Sequence, residues 1–111
     1  MIDWQRVAEL REEIGAEDFA EVVDLFLTEV EGAIAQLFGP EGEALVTEDQ
    51  MHFLKGAALN LGFKALSDLC RKGEQAAASG QGDAVSPTEV RLVYDASKIE
   101  FQRDFEARFA A

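Results

Sequence analysis

One apolar stripe limits this chain's fold more than any other feature. Phe19, Val22, Val23, Phe26, Leu27, Val30, Ala33, Ile34 and Leu37 recur at three- and four-residue intervals over about five turns. Helical spacing sustained that long excludes a half-buried strand, whose apolar residues alternate. A helix with one such face must bury it against other elements. Glu17 and Asp18 open it, acids suited to the positive end of the helix dipole. Gly39-Pro40-Glu41-Gly42 breaks it.

The flanking segments read as helices too. Asp3 can cap a short first helix, roughly Trp4–Ile14, with Trp4, Val7, Leu10 and Ile14 as its stripe and Gly15 as its end. A third helix carries Met51, Leu54, Ala58 and Leu61 on one side and ends at Gly62. It starts either at the capping box Thr47-Glu-Asp-Gln50, with Val46 and Met51 as hydrophobic staple, or nearer Glu43. A fourth runs from about Lys64 to Ala78, with Leu66, Leu69, Cys70, Gly73 and Ala77 inward. After the loop Ser79-Gly-Gln-Gly-Asp-Ala, Ser86-Pro-Thr-Glu89 is a capping box with proline at the first helical position. It opens a fifth helix whose stripe is Val90, Tyr94, Ser97, Phe101, Phe105 and Phe109. No strand pattern of any length and no repeat is present. The expected fold is all-α: one domain over residues 1–111, an antiparallel four-helix bundle with a short additional N-terminal helix.

Charge narrows the partners. The 111 residues carry a net charge of −12, which argues against nucleic acid, because phosphate neutralisation needs an excess of lysine and arginine. The longest apolar runs are short and interrupted by charge, so no membrane span is expected. A lone cysteine, Cys70, cannot form an internal disulfide, and the N-terminus lacks a signal-peptide pattern; both fit a cytoplasmic protein. Cys70 itself reads as a small core residue. From His52 to Lys72, four bases (Lys55, Lys64, Arg71, Lys72) face one acid (Asp68). That window is positive on an acidic body, and suits an anion or an acidic partner.

The single histidine, His52, falls almost opposite the apolar stripe of its helix, on the wet face with Lys55, Gly56 and Leu59. A core histidine would sit on the other side. An unperturbed imidazole titrates at about 6.5, so near neutral pH it keeps a free lone pair. Lys55 lies one turn on, a flexible point charge suited to phosphoryl oxygens. Gly56 sacrifices about 1 kcal/mol of helix propensity. Either close helix packing or access to the histidine explains it, and its place on the wet side favours access. Leu45, Leu59 and Phe63 project close to His52 on the helical wheel, an apolar patch fit for docking, with Lys64 beside it. Leu45 and Phe63 lie near the helix ends, where either can fold into a loop contact instead, so Leu59 is the strongest of the three.

The segment His52-Phe-Leu-Lys55-Gly56-Ala-Ala-Leu-Asn-Leu-Gly62, with Leu66, Leu69-Cys70 and Glu74 beyond it, resembles the histidine phosphotransfer (HPt) domain family. The likeness lies in the His-x-Leu-Lys-Gly signature and in the order of helices, and so covers nearly the whole chain. It departs at Ala57, where a serine is common, and at Gly73, usually a leucine. The resemblance implies a phosphorelay intermediate. His52 would accept a phosphoryl group and exchange it with the aspartate of response-regulator receiver domains, or take it from a sensor (hybrid) histidine kinase. Glu74 would accept a hydrogen bond from the imidazole Nδ1–H and leave Nε2 as the nucleophile. No nucleotide-binding loop and no aspartate cluster arranged for a metal is present, so no kinase activity, cofactor or metal is expected. Magnesium is expected on the receiver partner only. A closed bundle without a spare heptad seam suggests a monomer. The alternative is an interaction module that binds receivers or other signalling domains without transferring phosphate; there His52 would be dispensable. A di-metal bundle needs several Glu-x-x-His sets, which one histidine cannot supply.

Overall fold

In a computed structural model, residues 1–109 are described. They form five α-helices and one minimal ribbon: α1 (Trp4–Ile14), α2 (Ala16–Ala35), β1 (Phe38–Gly39), β2 (Gly42–Glu43), α3 (Glu48–Leu61), α4 (Lys64–Ala78) and α5 (Pro87–Phe109). The described residues are all-α apart from that ribbon and an isolated antiparallel bridge between Ile2 and Phe63. The helices α2, α3, α4 and α5 pack in a ring, each against the next and α5 back against α2, while α1 lies on α2 and α3.

The long stripe of α2 behaves as its spacing requires. Phe19, Val23, Leu27, Val30 and Ile34 are buried, as is Leu37 just beyond the helix, while Val22, Phe26 and Ala33 lie at the margin. The ribbon departs from the all-helical expectation. Gly39-Pro40-Glu41-Gly42 does more than break α2: it turns the chain so that Phe38 pairs with Glu43 and Gly39 with Gly42. Two residues per strand are too few for an alternating pattern to register. The ribbon sends Glu43 to α5, where the Thr88 N–H donates to Glu43 Oε1 at 3.0 Å. In the same first turn the Glu89 N–H donates to Ser86 Oγ, also at 3.0 Å. Two otherwise open amides of α5 are thereby satisfied.

The strongest packing is between α3 and α4. Leu54 and Leu61 of α3 and Leu66 of α4 are fully buried. Each contributes about 1.5–3 kcal/mol by leaving water. Gly73 is what brings the two helices close: a Cβ there would stand 2.8 Å from Met51 Sδ and 3.1 Å from its Cγ. The corner between them is held by Gly62, left-handed at φ +85°. It also lies against α1, where a Cβ would meet Asp3 O at 2.8 Å and Val7 Cγ2 at 2.9 Å. Both demands select glycine.

Candidate functional site

Helix α3 begins at Glu48 and not near Glu43. The Gln50 N–H donates to Thr47 Oγ1 at 3.1 Å, and the Thr47 N–H donates to Gln50 Oε1 at 3.0 Å, a complete capping box. His52 therefore stands in the second turn of a firmly started helix. Met51 beside it is fully buried, whereas the His52 side chain is 70% exposed.

Across the α3–α4 seam stands Glu74, 22 residues further along the chain. Its Oε2 lies 2.7 Å from His52 Nδ1, and its Oε1 accepts from Lys55 Nζ at 2.6 Å. One carboxylate thus holds both side chains. The Lys55 ammonium, and after it the His52 ring, lower the Glu74 pKa below the usual carboxylate value. An ionised carboxylate can only accept, so the ring nitrogen facing it is the donor. In the neutral ring that puts the proton on Nδ1 and leaves the Nε2 lone pair free.

Gly56, one turn beyond His52, has open space where a Cβ would be, with nothing within 4 Å. Close helix packing does not explain this glycine. It lines a shallow surface dip together with His52, Phe53, Ala57, Asn60 and, from α2, Phe26 and Glu29.

The expected docking residues divide. Leu59 is exposed on α3, two turns from His52. Leu45 is also exposed, but it precedes the helix and packs toward the α4–α5 loop, 3.6 Å from where Gly82 would carry a Cβ. Its helical-wheel proximity to His52 does not apply. Lys64 is exposed and pairs with Asp68 at 3.2 Å; it opens α4, beyond the end of α3 at Leu61, which itself lies about 13 Å along the helix axis from His52.

Phe63, expected beside His52, does not reach the surface. It is buried to 1% exposure and packs on Tyr94 and Phe101, with ring centroids 6.2 Å and 5.7 Å away. The left-handed turn at Gly62 takes Phe63 off the wheel of α3 and aims it into the core as the residue before α4.

The exposed aromatic beside the histidine is instead Phe53, with Phe26 across the dip. Phe53 follows His52 directly and sits off the apolar stripe, a signal present in the spacing. Phe26 reads as core in the stripe of α2 and is only half-buried.

Among the described residues, no group of three or more histidine, cysteine or acidic side chains is placed to hold a metal ion. No helix among the described residues is long and apolar enough to cross a membrane.

The exposed imidazole of α3 is followed by Lys55 and Gly56, as in the His-x-Leu-Lys-Gly signature, and Glu74 of the next helix contacts its Nδ1. The Hpt domain family matches residues 21–102, most of the chain. The chain belongs to the Hpt domain family. Such domains perform histidine-containing phosphotransfer in phosphorelay signalling, and interact there with receiver domains and histidine kinases. No curated protein and no solved structure matches the chain.

Proposed function

We propose that this chain is a phosphorelay intermediate which carries the phosphoryl group on Nε2 of His52 and exchanges it with the aspartate of response-regulator receiver domains. The observation that carries the reading is the 2.7 Å contact between His52 Nδ1 and Glu74 Oε2 on a ring 70% exposed. It fixes the tautomer, holds the ring plane and leaves the outward nitrogen as nucleophile.

Transfer is largely a matter of placement and charge neutralisation. The Nε2 lone pair forms a bond to phosphorus while the P–O bond to the donor aspartate breaks. The aspartate leaves as carboxylate, and the proton stays on Nδ1, where Glu74 stabilises the positive ring. Gly56 leaves room for the phosphoryl group and for the partner's approach. Leu59 and Phe53 supply apolar contact around the histidine. The metal ion that such transfer uses belongs to the receiver. The reading includes a single-domain, monomeric, antiparallel four-helix bundle, with α1 closing one end, working in the cytoplasm.

The test is a panel of receiver domains assayed in parallel for binding and for transfer of label from their phosphorylated forms. Transfer from any receiver that binds supports the reading. Binding without transfer across the panel replaces it with an interaction module.

A further inference from the structure

The lysine one turn beyond His52 is not free. Its Nζ donates to Glu74 Oε1 at 2.6 Å while His52 Nδ1 uses Oε2 of the same carboxylate at 2.7 Å. The Lys55 side chain is only 24% exposed and that of Glu74 16%, so this pair is held and shielded. The surface dip that His52 lines also includes a second carboxylate, Glu29 of α2.

A phosphoryl group on Nε2 adds close to two negative charges. The ring, carrying phosphorus on Nε2 and a proton on Nδ1, becomes positive. Two pairings of these charges are possible. If Lys55 stays on Glu74, the phosphoryl dianion takes no cation from this triad. If Lys55 moves to the phosphoryl oxygens, Glu74 still has the positive ring at Nδ1, and each anion has a partner. At equal separation a dianion attracts an ammonium twice as strongly as a carboxylate does. The four-carbon lysine stem can make the change without moving a helix.

We propose that Glu74 holds Lys55 in reserve, that loading of His52 moves the ammonium from Glu74 to the phosphoryl oxygens, and that Glu74 then serves Nδ1–H alone. The proposal rests on His52 being the phosphoryl carrier. It gives Lys55 two partners in one cycle. On unloading, the N–P bond breaks, Nε2 regains its lone pair, and Lys55 returns to Glu74. The waiting carboxylate competes for the lysine throughout, so the loaded state is not over-stabilised and the phosphoryl group stays exchangeable.

The test uses the full chain and phosphoramidate, a small donor that needs no protein partner. Loading is followed by intact mass, with His52→Gln as the control. Urea midpoints are measured for the wild type, Lys55→Gln, Glu74→Gln and the double variant, each unloaded and loaded. In the unloaded chain the two substitutions should be non-additive, because they break one shared pair. In the loaded chain that coupling should vanish, and Lys55→Gln should lower the midpoint even with Gln at position 74. The same coupling in both states would overturn the hand-over while leaving His52 as carrier. Failure of phosphoramidate to load the wild type would overturn both readings, since each needs a reactive, exposed Nε2.

Discussion

Glu74 divides its two carboxylate oxygens between His52 and Lys55, at 2.7 Å and 2.6 Å, and so ties the exposed histidine of α3 to α4. The ion pair with Lys55 and the bond to the ring both favour the charged carboxylate, which lowers its native pKa from the ordinary 4.5. A carboxylate with a lowered native pKa adds stability that is present above pH 4.5 and is lost as the pH falls through its native value, because the unfolded chain there binds the extra proton. Glu31, lowered by Lys98 and Tyr94, acts in the same direction. Urea unfolding of Glu74→Gln should therefore depend less steeply on pH than the wild type below pH 4.5. Equal slopes would mean the triad contributes nothing to acid stability.

Gly56→Ala separates stability from function. A Cβ there meets nothing within 4 Å, and alanine is the better helix former. The variant should be more stable by about 0.5–1 kcal/mol. If the open space beside His52 admits the phosphoryl group and partner, transfer should nonetheless fall, roughly 10–100-fold for a misplacement near 1 Å. Chemical denaturation and a transfer assay on the same preparation check both halves.

Gly73→Ala should behave in the opposite way. The new Cβ would press on Met51, which has no exposure, and would lie 3.5 Å from Val85 Cβ. Overpacking a filled core costs about 1–3 kcal/mol, and the helix-propensity gain returns about 1. A net loss of up to about 2 kcal/mol is expected, relieved when Met51→Ala is added. A higher melting temperature for Gly73→Ala alone would show that α3 and α4 do not depend on this close approach.

Cys70 should be inert in the folded chain. It is fully buried, and burial pushes its thiol pKa up to about 12. A thiol reagent at pH 8 should label it only at the rate of unfolding, and at once in denaturant. Rapid labelling without denaturant would contradict a sealed α4 face.

The helices were legible because three of them carry side-chain signals at their starts and the others show in their apolar spacing. Asp3 caps α1, Thr47 and Gln50 cap α3, Ser86 with Pro87 opens α5, and the stripe of α2 needs no other signal. His52, Lys55 and Gly56 were legible because they share one helix, where spacing alone fixes direction. Glu74 needed more: its role hangs on how α4 packs against α3, and local periodicity does not encode that. Phe63 and Leu45 both lie outside the ends of α3, where a helical wheel no longer gives direction. Gly62 redirects the chain before Phe63, and α3 starts only after Leu45. The pairing of Lys55 with Glu74 was also out of reach, since its spacing fits a phosphoryl group equally well.

The most direct test of the central claim is the site of the phosphoryl group after transfer from a phosphorylated receiver domain, comparing the wild type with His52→Gln. The account predicts one acid-labile, base-stable phosphoryl group on the wild type and none on the variant. Equal labelling of His52→Gln would contradict it and move the chemistry to another side chain.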